Sequence, residues 1–239
     1  MRIWEGVYGS FAEVPAAGPG FEGGVWLERS RARVDALRAE GPPLRPVGYL
    51  DAVVALATPA RVLDFGGGLG FGYVPLRASL PERADLRFDV VETAAVCAAG
   101  AEVFAGDPAI RFHPALPDLD DVTVVHVGSA LQYVDTWRPL LTRLAAYGAA
   151  TMVFTDLLAG DIEPFVSAQN YYSSRIPVRF LRLGDVVAVL AGAGYTLRAR
   201  SRYQATMRGA SGPLPLAHLP SQHRLEYACN LLFSKTIPA

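Results

Sequence analysis

Several features that define special classes of protein are missing from this sequence. Its 239 residues include only two cysteines, Cys97 and Cys229, and both stand among apolar residues. This usage argues against a disulfide scaffold and favours thiols in a reducing cytoplasm. Gly, Asp or Arg interrupts each apolar run before the roughly 18 residues that a membrane span needs. The first residues, Met1 to Glu5, contain no apolar stretch typical of a secretory signal. We therefore expect a cytoplasmic protein with no membrane partner.

Charge is also scarce and evenly distributed. Charged residues make up 19% of the chain, and the formal net charge is −1. Lys235 is the only lysine, and the arginines are spread along the chain instead of being clustered. The sequence therefore lacks the positive surface by which proteins bind nucleic acid. Because 51% of the residues are hydrophobic, the chain can offset the entropy lost on ordering, which excludes intrinsic disorder.

What the sequence does contain is an alternation of short apolar runs with helix-length segments. This alternation is typical of βαβ units and predicts a mostly parallel sheet. The apolar runs are nearly continuous, as expected for strands that helices cover on both faces. The predicted strands are 61–65, 86–92, 110–113, 122–127 and 151–156, with two more in the tail at 195–203 and 227–235, and the predicted helices are 94–104, 133–146 and 183–193.

The region before the first of these strands has a different pattern. Residues 1–23 are rich in glycine and aromatic residues without periodicity, which predicts an ordered arm. Helices are predicted at 24–40 and 46–57, separated by Gly41-Pro42-Pro43. We therefore divide the chain into an N-terminal arm with two helices (1–58) and an α/β domain (59–239). Trp4 and Tyr8 in the arm would either cap the core or cover the site as a lid.

The strongest local signal is a glycine-rich turn directly after the first predicted strand of the α/β domain. It reads Asp64-Phe65-Gly66-Gly67-Gly68-Leu69-Gly70. Glycines at this place let the backbone approach a ligand closely. The spacing does not fit the G-x-G-x-x-G turn of nicotinamide-binding proteins. An acid at the strand end suits the ammonium of a cofactor that carries an amino acid. Glu92, which ends the second strand, is placed to accept two ribose hydroxyls.

These residues carry a resemblance to a known family. V-L-D-F-G-G-G-L-G-F with V-V-E-T resembles motifs I and II of class I S-adenosylmethionine-dependent methyltransferases. The sequence is more similar still to a poorly characterised bacterial subfamily of these proteins. Its matching segments are W-E-G-V-Y-G-S-F (4–11), D-F-G-G-G-L-G-F (64–71), V-V-E-T (90–93), G-S-A-L-Q-Y (128–133), F-V-S-A-Q-N (165–170) and A-G-A-G-Y (191–195).

The resemblance implies a Rossmann-like fold with a mostly parallel seven-stranded sheet, helices on both faces and an N-terminal helical extension. It also implies S-adenosylmethionine as cofactor. Asp64, Gly66, Gly68 and Gly70 would hold the methionine moiety, and Glu92 would hold the ribose. The residues expected beside the sulfonium are Ser129, Gln132 and Tyr133, and Phe65 and Thr93 complete the expected cofactor-binding set.

The segment after the fifth strand is the expected site of substrate recognition. Gln169, Asn170, Tyr171 and Tyr172 are four consecutive hydrogen-bonding side chains, where class I enzymes insert substrate loops. We expect these four, with Tyr133, to orient the reacting groups, although a polar loop with aromatics packed on the sheet would have the same composition. Relatives tend to have Y-P-A-W-F where this chain has I-P-V-R-F at 176–180, so the acceptor pocket is expected to differ.

Other polar residues fit structural roles. His126 lies inside an apolar strand and is better explained as a hydrogen-bonded core histidine than as a general base. His218 and His223 lack a third metal ligand nearby, and no acidic pair follows the fifth strand. The sequence therefore gives no reason to expect a metal.

The sequence thus predicts a methyltransferase that uses S-adenosylmethionine and acts on a small polar molecule, in an oligomeric state that it does not indicate. Two alternatives stay open. One is a cyclase, because the fold resembles that of enzymes that convert S-adenosylmethionine into azetidine-2-carboxylate and methylthioadenosine. The other is a non-catalytic subunit that only binds the cofactor.

Overall fold

A computed structural model describes residues 2–40, 48–204, 206–207 and 210–236. The helices are α1 (Gly24–Glu40), α2 (Tyr49–Leu56), α3 (Tyr73–Ser79), α4 (Ala94–Val103), α5 (Trp137–Ala145) and α6 (Leu183–Gly192). The strands are β1 (Trp4–Tyr8), β2 (Arg61–Phe65), β3 (Arg87–Val91), β4 (Ile110–His113), β5 (Val124–Gly128), β6 (Thr151–Leu157), β7 (Ala159–Gly160), β8 (Phe165–Tyr171), β9 (Ser174–Arg182), β10 (Tyr195–Tyr203), β11 (Thr206–Met207), β12 (Ala210–Ser211) and β13 (Ala228–Lys235).

A seven-stranded sheet forms the centre of the molecule, with strand order β10-β13-β6-β5-β2-β3-β4. The strands β2 to β6 in this sheet pair in parallel, and β13 is antiparallel to both of its neighbours. The order reverses at β2, because the chain runs outward from β2 to β4 and then returns to β5 on the other side. Ligands of open α/β sheets bind at the carboxyl ends of the strands at such a reversal.

Helices cover the central sheet on both faces, as the continuous apolar strands predict. On one face α5 and α6 pack on the sheet through residues such as Leu141 and Leu190. On the other face the packing residues come from α1 to α4 and include Val34, Val54 and Leu76. The strands contribute alternate residues to the two clusters. This burial on both faces explains why the strand sequences show little alternation of apolar and polar residues.

A second, four-stranded sheet has the order β1-β8-β9-β7. It replaces the loop that the sequence predicted after the fifth strand, so that prediction was wrong. The segment instead forms an antiparallel hairpin, with Phe165 opposite Phe180 and Tyr171 opposite Ser174. The N-terminal arm joins this sheet, because Trp4 pairs with Gln169 and Tyr8 with Val166. The arm is therefore tied to the α/β domain by strand pairing.

Most predicted elements of the central sheet are confirmed, with small shifts at their ends. The strands at 61–65, 110–113 and 195–203 and the helix at 24–40 have the predicted bounds. The helix predicted at 133–146 begins later, at Trp137, because Leu131–Tyr133 forms a separate 3-10 turn. The helix predicted at 46–57 is observed as α2, and residues 41–47 lie outside the described residues. Within the described ranges, no helix is long and apolar enough to cross a membrane.

Candidate functional site

A cavity of about 1130 Å³ opens at the carboxyl ends of the central strands. Two groups of residues contribute most of its lining. The turn wall comes from the ends of β2, β3 and β4 and consists of Gly66, Gly68, Phe71, Glu92, Thr93 and 114–116. The aromatic wall consists of Trp4, Phe21, Trp26, Tyr133, Tyr171 and Tyr203, together with Gln169.

The glycine turn folds as its sequence predicts. Gly66, Gly68 and Gly70 have φ angles of +71°, +57° and +73°, which L residues with a side chain rarely adopt. A Cβ at Gly66 would collide with the side chain of Ala130, and one at Gly68 would lie 2.6 Å from the Phe71 ring. Gly66 and Gly68 line the cavity directly. The turn therefore presents bare backbone to any ligand.

Glu92 lies beside this turn, as predicted. One carboxylate oxygen accepts a hydrogen bond from the Gly68 N–H at 3.0 Å, and the other accepts from the Thr93 N–H at 3.0 Å. A carboxylate has about four acceptor positions. Two therefore stay available for hydroxyls in the cavity. Burial raises the pKa of Glu92 above its usual value, and the two backbone donors oppose that shift.

Asp64 lies near the end of β2, as predicted, but it does not line the cavity. Its carboxylate is fully buried; one oxygen pairs with His126 at 2.7 Å, and the other has no hydrogen-bond partner among the described residues. The second His126 nitrogen bonds the Thr155 hydroxyl at 3.0 Å. Asp64 therefore lies behind the glycine turn, next to Gly67, and its contact with a ligand's ammonium stays a prediction. His126 has the structural role that its sequence position favoured.

Two buried polar atoms on the cavity lining have no hydrogen-bond partner in the described chain: Thr93 Oγ1 and Gln132 Oε1. Gln132 is 1% exposed, and its amide nitrogen donates to Ser129 Oγ at 3.2 Å and to the Asp156 carbonyl at 3.1 Å. Leaving such an atom unpaired costs about 1–3 kcal/mol. These two atoms are therefore candidate partners for a polar ligand in the cavity.

The aromatic wall is held together by hydrogen bonds and ring contacts. Gln169 Oε1 accepts from Trp4 Nε1 at 3.4 Å and from the Tyr133 hydroxyl at 3.0 Å. Trp26 Nε1 donates to the Tyr171 hydroxyl at 3.1 Å. Phe21 contacts three of these rings, with centroid distances of 4.9 Å to Tyr133, 5.4 Å to Tyr171 and 5.9 Å to Trp26. Burial raises the pKa of Tyr133, Tyr171 and Tyr203, so all three phenols are neutral near pH 7.

The structure separates the five residues that were expected to orient the reaction. Tyr133, Gln169 and Tyr171 line the cavity. Asn170 alternates to the other side of β8, where its amide donates to the Arg2 carbonyl at 2.9 Å. Tyr172 is 47% exposed at the hairpin turn, with the Arg29 guanidinium 4.7 Å from its ring centre. Ile176 to Phe180 form part of β9 and also lie off the cavity lining.

Sequence reasoning assigned no role to three charged residues of the cavity lining, Asp156, Arg33 and Arg143. Asp156 follows Thr155 near the end of β6, and its place as last residue of a predicted strand could have revealed it. The backbone φ is +52° at both Asp156 and Ser129. The Ser129 side chain donates a hydrogen bond to the Asp156 carboxylate. Burial raises the pKa of Asp156 to about 6. Arg33 lies among several arginines of α1, so the sequence contained no signal for it.

No family model and no curated protein matches the sequence. Solved structures match the fold. A Listeria monocytogenes protein provisionally assigned as an S-adenosylmethionine-dependent methyltransferase is 9% identical, with a TM-score of 0.54 over 88% of this chain and 100% of its own. A Burkholderia thailandensis 1,6-didemethyltoxoflavin-N1-methyltransferase is 17% identical, with a TM-score of 0.52 over 94% of this chain and 93% of its own.

A third structure, of a pericyclic reaction enzyme, is 14% identical with a TM-score of 0.52, and the match covers 89% of this chain but only 54% of that enzyme. The chain thus has the Rossmann-like fold of class I methyltransferases, with a mostly parallel seven-stranded sheet and helices on both faces. One fold serves many reactions, so the function has to be argued from the site.

Proposed function

We propose that this protein is an S-adenosylmethionine-dependent methyltransferase acting on a small polar molecule. The observation that carries the proposal is the contact of Glu92 with the glycine turn. The Gly68 and Thr93 N–H groups fix the carboxylate beside bare backbone, and two of its acceptor positions stay available. This arrangement suits the two hydroxyls of a ribose. The S-adenosylmethionine and S-adenosylhomocysteine bound to similar folds agree with this choice of cofactor.

The residues of the cavity fit this cofactor in three respects. Glu92 would hold the ribose. Gly66 and Gly68 would leave room for the methionine moiety that is attached to the ribose. Thr93 Oγ1 and Gln132 Oε1 need partners that a polar ligand supplies. The aromatic wall offers ring faces to a cation, each contact contributing about 0.5–2 kcal/mol. When bound, S-adenosylmethionine supplies a methyl group on a positively charged sulfur.

The protein's own contribution would be mainly orientation. Gln169 links Trp4 to Tyr133 and so fixes two rings of the aromatic wall. Holding two reactants in line accounts for about 7–11 kcal/mol of a barrier in favourable cases. Asp156, whose pKa burial raises to about 6, is mostly ionised at pH 7 and able to accept a proton from an acceptor. A metal is not part of the proposal.

Asp156 also favours a second candidate, cyclisation of S-adenosylmethionine itself. In that reaction the α-nitrogen forms a bond to the γ-carbon, the bond from that carbon to sulfur breaks, and the nitrogen loses a proton. The products are azetidine-2-carboxylate and methylthioadenosine. A carboxylate that accepts protons near neutral pH and faces the same cavity would serve this step equally well.

Product analysis separates the candidates. The protein is incubated with S-adenosylmethionine alone and then with the small-molecule fraction of a cell extract, and the nucleosides are identified by mass spectrometry. S-adenosylhomocysteine that requires the extract supports methyl transfer. Methylthioadenosine formed without extract, faster than with the Gly68→Val variant, supports cyclisation. Binding with neither product indicates a cofactor-binding subunit, and absence of binding rejects the proposed function.

A further inference from the structure

Arg33 and Asp156 are opposite charges that share one cavity without forming an ion pair. Both line the cavity, from α1 and from the end of β6. Arg33 has no carboxylate within ion-pairing distance among the described residues, and its guanidinium lies 4.5 Å from the centre of the Phe71 ring. Phe71 directly follows the glycine turn. Arg33 is therefore a cation placed next to the bare backbone of the turn.

Two hydrogen bonds hold Asp156 in place. Its N–H donates to Asn230 Oδ1 at 3.2 Å, and its carboxylate takes a hydrogen bond from Ser129. The left-handed backbone at both Ser129 and Asp156 is sterically unusual, and such residues cluster at functional sites. Burial raises the pKa of Asp156 to about 6, against the opposing effects of Ser129 and Arg33, so burial disfavours the anionic form.

Tyr203 lies near both charges. Asp156 raises the pKa of Tyr203 and Arg33 lowers it, and Arg33 also lowers the pKa of Asp156, so the two charged groups lie near each other. Asp64, the acid that the sequence proposed for an ammonium, lies off the cavity lining and gives one carboxylate oxygen to His126. Asp156 does line the cavity, and Arg33 lines it as a cation.

Resting on the proposed function, we infer that Arg33 and Asp156 form a subsite for an α-amino-acid group. Arg33 binds the carboxylate, for which its planar guanidinium offers paired donors, and Asp156 binds the ammonium. Two sources supply this chemistry, the methionine end of the cofactor and an amino-acid acceptor. Because Arg33 stacks on the residue that follows the glycine turn, the geometry favours the methionine end.

Two ligands that differ in the amino-acid group test whether Arg33 and Asp156 bind the methionine end of the cofactor. S-adenosylhomocysteine carries the amino-acid group and 5′-methylthioadenosine lacks it. Calorimetry should show that Arg33→Gln and Asp156→Asn each weaken S-adenosylhomocysteine binding by about 10–100-fold and change methylthioadenosine binding less than twofold. Arg29→Gln, one turn earlier on α1 and stacked on Tyr172, and Asp161→Asn, exposed beyond β7, are the matched controls.

If S-adenosylhomocysteine binds both variants with wild-type affinity, a second experiment tests whether the α-amino-acid group belongs to the acceptor. The loaded protein is then titrated with L-phenylalanine, phenethylamine and 3-phenylpropionate, and binding is followed by tryptophan fluorescence, since Trp4 and Trp26 line the cavity. Preference for L-phenylalanine that either variant abolishes supports the subsite for an acceptor. Equal binding of the three probes, or none, overturns the inference. A wild type that binds neither nucleoside rejects the proposed function as well.

Discussion

The two walls of the cavity differ in how the chain builds them. The turn wall comes from successive strand ends, and its main contact joins Gly68 to Glu92, 24 residues apart. The aromatic wall joins residues that are distant in sequence: Trp4 meets Gln169 across 165 residues, and Trp26 meets Tyr171 across 145. One wall is a property of a βαβ unit, and the other requires the whole chain to fold.

The walls also differ in chemistry. The turn wall offers backbone, one carboxylate and a threonine hydroxyl, which suit the fixed hydroxyls of a nucleoside. The aromatic wall offers rings, an amide and neutral phenols, which suit a cation or a flat apolar group. We infer that the turn wall determines whether a cofactor binds and that the aromatic wall determines what reacts. This division makes separable predictions for the two walls.

The largest effect is expected from a side chain added to the glycine turn of the turn wall. Gly68→Val should lower the affinity for S-adenosylmethionine at least 100-fold, as measured by calorimetry. The reason is that Gly68 has a φ of +57° and that a Cβ added there would lie 2.6 Å from the Phe71 ring. Gly184→Val is the matched control, because a Cβ at Gly184 meets nothing within 4 Å. A variant that is folded by circular dichroism and binds with wild-type affinity would contradict the assignment of the turn.

A smaller loss is expected at the carboxylate of the same wall. Glu92→Ala should weaken S-adenosylhomocysteine binding by about 1.5–3 kcal/mol, the range for hydrogen bonds to a charged group. Asp89→Asn is the control, because Asp89 is paired with His113 at 2.7 Å and does not line the cavity. If Asp89→Asn weakened binding more than Glu92→Ala, the turn wall would not hold the ribose as proposed.

The contrast between the walls also explains what the sequence could predict. Gly66, Gly68 and Glu92 were found because a strand, a turn and the next strand are local patterns with a known geometry. The hairpin of β8 and β9 was predicted as a loop, because the sequence of β8 does not alternate between apolar and polar residues. The structure gives the reason: the first five residues of β8 are all buried. Four consecutive polar side chains then resembled a loop, although the strand sends Gln169 into the cavity and Asn170 away from it.

Asp64 and Arg33 show two other limits of the sequence. The acid of the glycine turn was assigned to a ligand, because the sequence could not show that Asp64 lies off the cavity lining with one oxygen paired to His126 on the adjacent strand. Arg33 was invisible among the arginines of α1, since only the packing of that helix decides which one faces the cavity. The arm was expected either to cap the core or to cover the site as a lid. Trp4 is buried and lines the cavity, and the lid stays a prediction.

A third prediction compares neighbours on β8. Gln169→Ala should slow product formation from S-adenosylmethionine about tenfold, because Trp4 Nε1 and the Tyr133 hydroxyl both lose their acceptor. Asn170→Ala should change the rate less than twofold, since the Asn170 side-chain amide bonds only the Arg2 carbonyl in the described chain. The rates are measured by mass spectrometry of the nucleoside product. Equal losses in both variants would mean that strand integrity matters, and not the aromatic wall.

The smallest effect concerns the stability cost of Asp156. Burial raises its pKa to about 6 in the folded protein, from 3.8 in the unfolded chain. Between these values the folded state holds a proton that the unfolded chain releases, so the free energy of unfolding falls as the pH rises from about 4 to about 6 and then stays at the lower level. Raising the pKa of Asp156 from 3.8 to about 6 would correspond to about 3 kcal/mol of stability, and since solvent reaches the cavity we expect about 1–2 kcal/mol.

Asp156→Asn removes this ionisation and should therefore stabilise the protein at pH 7.5. A gain of about 2–6 °C in Tm is expected for a chain of this size, measured by thermal unfolding without ligand. The gain should largely disappear at pH 4, where Asp156 is protonated in the folded protein. Asp161→Asn, exposed beyond β7, should change Tm little at either pH. A lower Tm for Asp156→Asn at pH 7.5 than for the wild type would mean that the carboxylate is compensated within the protein and needs no ligand cation to balance it.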